Sequence, residues 1–499
     1  MQEPLGYVLD GATPVQASFV SRQPPQLGDY VVIRFGGHEL LGFVENIGAR
    51  SVLLASTSMV KEPETMQRLP KISDPRDLYF EARVRIIGDV SDPELKNPRI
   101  PPPPGSPVYP APRKLLESLF GSKGASYVRL GVLAARPDVP VYVDVNKMVT
   151  RHLAILAVTG AGKSNTVAVI ADQIVRMGGT LLIFDFHGEY VNSDLGGGRV
   201  NVIDPRLPPR LLSIQELMIL AGIESRYYHQ ERILRKAYSI VGDQDSDGRG
   251  FLEQLAEAIE RLRHREDPKA VTAVLNKLDT LRDKYGDILD DGAPDPFARI
   301  KPGHVNVLNL AQVDEDAADV IASYLLRRIL WARKLYKLEK RGLPYPVFIV
   351  VEEAHILAPK DEDRLSKYWL ARIAREGRKF GVGLCLVSQR PKKLDPDILS
   401  QMNNKIVLRI VEPSDQKYIQ EASEALSDEL LEQLPSLNVG EAVVLGPMVR
   451  LPAVVKIDLY KGRLGGSDPD IASEWMAYRD SIRETEADIL DIMEDFISR

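Results

Sequence analysis

Residues 155–166 read Ile155-Leu-Ala-Val-Thr-Gly-Ala-Gly-Lys-Ser-Asn-Thr166, an apolar strand that runs into a glycine-rich turn, ends in Lys-Ser and opens a helix. In such a turn the backbone N–H groups of Gly160, Ala161, Gly162 and Lys163 converge on a phosphate, with the positive end of the helix dipole behind them. Lys163 is expected to reach the β- and γ-phosphates and the Ser164 hydroxyl to sit on Mg²⁺. Thr159, Asn165 and Thr166 complete the expected nucleotide-binding stretch. The general pattern has glycine where this chain has Ala157, but the residues that bear on the phosphates are in place. The helical run Thr166-Val-Ala-Val-Ile-Ala171 supplies the strand–loop–helix context that a chance Gly-Lys-Ser lacks. The reading is a nucleoside triphosphate site, with ATP and Mg²⁺ as its ligands.

Working outward, 499 residues are too many for one core and imply several domains, and a 44% hydrophobic content can bury them. No apolar run approaches the roughly 20 residues that cross a bilayer, and Met1-Gln2-Glu3-Pro4 lacks the pattern of a secretory signal, so the expected location is the cytoplasm, with no membrane partner. The single cysteine, Cys385, excludes an intramolecular disulfide and reads as a small core residue. A net charge of −6 gives no whole-molecule attraction to nucleic acid, so any such binding needs a local basic surface.

Alternating runs at Gln16–Val20, Tyr30–Phe35 and Glu39–Glu45, separated by turn residues, predict a small β-barrel over residues 1–100. Pro101-Pro-Pro-Pro-Gly105, followed by Pro107, Pro110 and Pro112, predicts a stiff linker over 101–125. Beyond it, non-alternating apolar strands at 155–158, 180–184, 305–308, 347–351 and 383–388 alternate with helices. They predict an α/β doubly wound core over 126–210 and 300–462. Residues 211–299 are charged and helix-periodic and read as a helical insertion. Asp243-Gln-Asp-Ser-Asp-Gly-Arg-Gly250 has the acidic spacing of a calcium loop but no Glu at the twelfth position, so it reads as a solvated turn. Residues 463–499 carry an acidic amphipathic helix from about Ser473, to dock on a neighbouring subunit or on its own domain.

Four further stretches carry chemistry. Pro346-Val-Phe-Ile-Val-Val-Glu-Glu-Ala-His355 is an apolar strand that ends in two carboxylates, expected beside the phosphate loop. One acid must hold the Mg²⁺ hydration shell and the other must prepare the attacking water, so Glu352 is assigned to the metal through water and Glu353 to the water. Gly383-Leu-Cys-Leu-Val-Ser-Gln-Arg-Pro391 ends a strand on the polar Gln389. Thr180-Leu-Leu-Ile-Phe-Asp-Phe-His-Gly-Glu-Tyr190 puts Asp185, His187 and Glu189 at a strand's C-terminal edge, with Asp185 a further metal candidate and His187 a structural hydrogen-bonder. In Arg372-Ile-Ala-Arg-Glu-Gly-Arg-Lys-Phe-Gly381, a projecting Gly-Arg-Lys turn suggests an arginine finger acting on a neighbour's γ-phosphate, Arg378 first and Arg375 second. Arg151 is the expected second phosphate contact across that seam. Lys360, Arg364, Lys367, Lys392 and Lys393 are candidate DNA contacts, and the basic helix Arg327 to Arg341 reads as a solvated face.

With Asp-Phe-His-Gly-Glu-Tyr, Val-Glu-Glu-Ala-His, Ala-Arg-Glu-Gly-Arg-Lys-Phe-Gly-Val-Gly and Val-Ser-Gln-Arg-Pro around and after the phosphate loop, the chain resembles the archaeal HerA family. That family belongs to the FtsK–HerA branch of RecA-like P-loop ATPases, and the resemblance extends over nearly the whole chain. It implies a RecA-like core, an N-terminal barrel of the HAS type and a C-terminal brace. It also implies a homohexamer that moves double-stranded DNA through its centre, partnered by the nuclease NurA in end resection for double-strand break repair. A Rad50-type complex acts alongside, and the expected place is the nucleoid. The family's water-activating acid falls on Glu353, its finger on Arg378 and its second trans arginine on Arg151. In RecA-like motors a polar tip such as Gln389 touches the γ-phosphate and reports hydrolysis. The alternatives are a conjugation- or packaging-type DNA pump of the same branch, and a non-motor ATP-dependent DNA-binding scaffold.

Overall fold

The computed structural model describes residues 3–51, 78–92, 95–224, 226–242, 249–423, 426–465 and 470–479. Six strands close a barrel in the order β1-β2-β5-β4-β3-β6: β1 (Gly6–Val8), β2 (Gln16–Ser21), β3 (Tyr30–Phe35), β4 (His38–Ser51), β5 (Leu78–Asp89) and β6 (Pro107–Pro110). Period-two burial turns Phe19, Ile33, Val44, Val84 and Val108 into one core.

Strand β6 falls inside the segment expected to be a linker, and it pairs antiparallel with both β1 and β3. A proline lacks only the N–H, and Pro107 and Pro110 stand at the two ends of a four-residue strand. Val108 therefore sits in the barrel core and its carbonyl accepts from Leu5 N–H at 2.8 Å. Helix α1 (Arg113–Phe120) then buries Leu116, Leu119 and Phe120 against the second body. The Tyr30 ring lies 5.4 Å from that of Phe120, and its hydroxyl donates to the Pro452 carbonyl at 2.6 Å. The 101–125 stretch is thus barrel wall and packed joint rather than spacer.

The second body is an eleven-stranded sheet in the order β11-β12-β10-β13-β14-β9-β15-β16-β17-β7-β8. Its strands are β7 (Tyr127–Leu133), β8 (Pro140–Asp144), β9 (Leu153–Leu156), β10 (Leu181–Asp185), β11 (Val200–Ile203), β12 (Val305–Asn309), β13 (Val347–Val351), β14 (Val382–Ser388), β15 (Asn404–Val407), β16 (Glu441–Leu445) and β17 (Ala453–Ile457). From β11 to β15 the pairing is parallel, and β16, β17, β7 and β8 extend the sheet antiparallel. The central strands are buried on both faces, as parallel strands under helical layers must be. Helix α2 (Val145–Thr150) leads into β9, and α3 (Lys163–Arg176) follows the phosphate loop.

Between β11 and β12 stand α4 (Ile214–Leu220), α5 (Tyr228–Gly242), α6 (Phe251–Arg261) and α7 (Pro268–Tyr285). Buried Glu216 of α4 ties this insertion to α8 (Glu315–Glu339), accepting from Ser323 Oγ and from Arg327 Nη2, each at 2.9 Å. Helix α8 is not simply a solvated basic face. Its Arg333 is fully buried, donating to the Phe380 and Leu343 carbonyls, where it staples α8 to α9 (Leu365–Phe380). Residues 243–248 of the acidic loop and 466–469 and 480–499 of the expected brace lie outside the described residues. Within the described part of the brace, 471–479 are helical and exposed along their length.

Candidate active site

The phosphate loop joins β9 to α3 at the C-terminal edge of the parallel strands. Gly160 and Gly162 take φ of +75° and +108°, a region open to glycine and costly for other residues. Lys163 and Ser164 occupy the first turn of α3, with no hydrogen bond or ion pair to their side chains among the described residues. Asn165 and Thr166, expected on the nucleotide, point elsewhere. Asn165 donates to the Asp458 carbonyl at 2.9 Å and accepts from Tyr460 N–H at 2.8 Å, while Thr166 is buried and returns its hydroxyl to the Gly162 carbonyl. Both side chains hold the loop to its surroundings and leave only backbone to face a ligand.

The acidic strand β13 is not the direct neighbour of β9, because β14 lies between them. The tip of β14 thereby comes against the phosphate loop, and the Thr159 hydroxyl donates to Gln389 Oε1. Glu352 and Glu353 follow the end of β13. Glu352 is almost fully buried, and its Oε1 accepts from the Tyr190 hydroxyl at 2.6 Å. Burial pushes its carboxyl up to about 8, with Glu189 and Glu353 adding to the rise and the Tyr190 bond opposing it.

Glu353 behaves oppositely. Burial acts to raise its carboxyl, but His355, Lys163 and His187 outweigh it and hold the group below its usual range. His355 Nδ1 stands 3.3 Å and His187 Nε2 3.7 Å from its two oxygens. The His355 contact falls on Oε2 as an ion pair without hydrogen-bond geometry, so that buried oxygen lacks a hydrogen bond, and the backbone sits at φ +42°. An ionised carboxylate with a buried oxygen in want of a hydrogen bond, within electrostatic reach of Lys163, is placed to accept a proton or orient water.

Asp185, expected as a further metal candidate, has both carboxylate oxygens engaged by backbone. Its Oδ1 accepts from the backbone N–H of His187 and Glu189, both at 3.2 Å, and its Oδ2 accepts from Tyr190 N–H at 2.9 Å. A strand-end carboxylate commonly caps the turn that follows it, and this one does so while setting Tyr190 against Glu352. Among the described residues no three His, Cys, Asp or Glu side chains converge as a metal site by themselves. The residues present fit an ion that arrives with the nucleotide: the Ser164 hydroxyl at the start of α3 has no hydrogen bond among the described residues, and Glu352 lies within electrostatic reach of Lys163 beside it, so Ser164 and, through water, Glu352 would hold Mg²⁺.

The expected trans arginines lie on the other edge of the sheet. Arg151 precedes β9, and Arg378 falls in the last turn of α9, just before β14, while the phosphate loop and Gln389 follow those same parallel strands. Strand β14 alone puts about 20 Å between the two edges. Gly377-Arg378-Lys379 is helical rather than a turn, and the chain reverses only at Gly381, φ +71°. Arg375 and Arg378 are exposed, and neither they nor Arg151 make an ion pair among the described residues.

Of the basic DNA candidates, Arg364 is held by Glu315, Asp316 and Glu362, Lys367 by Asp395 and Lys392 by Glu412. Lys360 and Lys393 are exposed with no ion pair among the described residues. The loops that carry them pair with each other, through Lys360 N–H to the Lys393 carbonyl at 2.8 Å and a Pro359–Leu394 bridge. Sequence reasoning did not single out Tyr190, His355 or His152. The first two close quoted motifs and were within reach; His152 carries no sequence signal beyond standing next to Arg151.

Residues 128–329 match the family model "Helicase HerA, central domain" and residues 301–456 match "Helicase HerA-like C-terminal". The chain is 42% identical over 491 residues to the DNA double-strand break repair helicase HerA of Saccharolobus solfataricus, covering 96% of each chain. It is 41% identical to that of Sulfolobus acidocaldarius, over 94% of this chain and 96% of the relative. Among solved structures, VirB4 of Thermoanaerobacter pseudethanolicus superposes with a TM-score of 0.51 at 18% identity, over 68% of this chain and 98% of that one, a likeness of fold. With two adjoining family models and near-full-length identity of this order, the chain belongs to the HerA helicase family of ATP-hydrolysing P-loop enzymes.

Proposed function

We propose that the protein is a homohexamer that hydrolyses ATP at its subunit seams to drive double-stranded DNA through a central channel. In this reading it feeds DNA ends to a NurA-type nuclease during double-strand break repair, with a Rad50-type complex acting alongside at the nucleoid. The observation that carries it is the separation of the catalytic groups: Lys163, Glu353 and Gln389 occupy one edge of the sheet, and the unpaired Arg151 and Arg378 occupy the other. One chain cannot bring them together, whereas a second copy packed edge to edge can.

In the assembled seam, the loop amides and Lys163 bind the β- and γ-phosphates. Glu353 orients the attacking water through Oε2 and takes up its proton. Arg378 and Arg151 of the neighbour enter from the seam and neutralise charge that develops on the γ-phosphoryl oxygens. Mg²⁺, when bound with ATP, supplies electrostatic neutralisation of the phosphates. Gln389 releases or regains Thr159 as the γ-phosphate comes and goes, and β14 carries that change to the loop of Lys393, which is paired to the loop of Lys360.

The test is subunit mixing. Arg378→Ala is expected to bind ATP normally and to lower turnover by about 10³-fold or more. Doped into wild-type rings, it should poison them beyond its mole fraction, because each defective subunit spoils its neighbour's pocket. Simple linear dilution, or a monomeric form as fast as the assembly, overturns the reading.

A further inference from the structure

His152 is a buried histidine in an unusual place. It sits between Arg151 and β9 with φ +60°, a conformation uncommon outside Gly and best tolerated by Asn, Asp and His, and it is 2% exposed. Both ring nitrogens are engaged. Nδ1 accepts from the backbone N–H of Leu384 in β14 at 3.0 Å, which fixes the proton on Nε2, and Nε2–H donates to the Ala374 carbonyl of α9 at 3.0 Å. Helical geometry makes that same carbonyl the acceptor for the backbone N–H of Arg378, four residues on.

The main chain is equally committed. The Arg151 N–H donates to Lys147 in α2, and its carbonyl accepts from Asn403 N–H. The His152 carbonyl accepts both from Asn404 N–H and from the Asn404 side-chain amide. The Asn404 amide also reaches the Lys147 carbonyl, and its oxygen accepts from Met448 N–H. One corner therefore joins α2, β9, β14, β15 and α9, and among the described residues the imidazole is the one side chain in it that bonds to the backbone of α9.

We propose that His152 is a positioning residue that makes Arg151 and Arg378 one rigid unit, presented to the neighbouring subunit's nucleotide. It stands before β9, at the opposite edge of the sheet from its own chain's phosphate loop, and acts through the two guanidinium groups. The proposal rests on the trans-arginine reading above. Arg378 is exposed and Arg151 half-buried, and among the described residues neither side chain has an ion pair to hold it. The tie that fixes their bases sets their reach. Burial depresses the imidazole to about 4, so the ring stays neutral and keeps this donor–acceptor pattern at working pH.

Two near-isosteric variants separate positioning from mere stability. Asn at 152 suits the positive φ and places Oδ1 where Nδ1 stood, so it keeps the Leu384 bond and loses the link to α9. Gln at 152 places Nε2 where the histidine Nε2 stood, so it keeps the link to Ala374 on a less comfortable backbone. Measured as steady-state ATPase of the assembled protein, His152→Asn is expected to melt at or above the temperature of His152→Gln. It should nevertheless lose at least about tenfold in kcat with KM for ATP within about twofold of wild type, and poison mixed rings as Arg378→Ala does. His152→Gln is expected to stay within about threefold of wild-type kcat. If kcat simply follows melting temperature, or His152→Asn keeps wild-type kcat while Arg378→Ala still poisons, the positioning role is wrong. If Arg378→Ala fails to poison, it is the trans reading beneath it that falls.

Discussion

Glu353 carries a burden that a merely structural residue would shed, a left-handed backbone, while its buried Oε2 has the His355 ion pair but no hydrogen bond. The backbone costs on the order of 1–3 kcal/mol. Glu353→Gly, which relieves the backbone and gives up the histidine pairs, is expected to leave the midpoint of denaturant unfolding little changed while abolishing turnover. Glu353→Gln is expected to keep nucleotide binding, read by a fluorescent ATP analogue, and to lower kcat by at least about 100-fold. A Gln variant that turns over normally removes Glu353 from the chemistry. His152 gives a second residue-level prediction, on stability. Its ring titrates at about 4 in the fold against an ordinary 6.5, so as pH falls the unfolded chain takes up the proton first. The stability tied to this group is whole above about pH 6.5, declines between 6.5 and 4, and is level below, a loss of about 3 kcal/mol in all. Unfolding free energies of wild type and His152→Asn, measured from pH 7 to pH 4, should converge by that order. Parallel curves would contradict a neutral buried ring.

At the scale of elements, α9 approaches β14 closely enough that a Cβ on Gly377 would run into the Val382 carbonyl oxygen and the Ile373 side chain. Gly377→Ala is expected to push the last turn of α9 off the sheet, at a cost of about 1–3 kcal/mol. It should also lower assembled ATPase more than nucleotide affinity, since Arg378 is the next residue; equal losses in both would place the defect in the pocket instead. The parallel strands β9, β10, β12, β13 and β14 and the phosphate loop were legible because their signals are local, largely apolar runs of four to seven residues and glycines next to Lys-Ser, whereas β11 and β15 were not read. The antiparallel strands β7, β8, β16 and β17 carry weaker alternation and find their partners only through the finished sheet. The prolines of β6 misled because composition reports a missing donor, whereas pairing depends on which side of the strand that donor would face. The positions of Glu353 and Gln389 just past the ends of β13 and β14, and of Lys163 at the start of α3, were readable from local sequence. The turn that Asp185 caps was not, because a carboxylate at a strand tip caps its own turn or binds a metal with the same local sequence. The distance between Arg378 and the phosphate loop is likewise invisible until strand direction is known.

The whole molecule carries six more negative than positive charges, so at long range it repels a polyanion. If the assembly grips duplex DNA, the grip comes from few cations concentrated by the fold, and the ion-pair pattern identifies them. Arg364, Lys367 and Lys392 are already balanced by carboxylates, whereas Lys360 and Lys393 are held side by side on paired loops without such partners among the described residues. Their loops issue from β13 and β14, the strands that carry Glu353 and Gln389, so the same pair couples phosphate contact to the nucleotide. Replacing both with Ala is therefore expected to leave DNA-free ATPase within about twofold of wild type and to abolish its stimulation by duplex DNA. The slope of log affinity against log salt should flatten by about 1 for every phosphate contact removed, and equally for unrelated sequences. The matching Lys392→Ala variant, drawn from a neutralised pair, should change the slope little. Unaltered stimulation and slope in the double variant would move the DNA path away from this edge of the sheet, and with it the link between Gln389 and the grip.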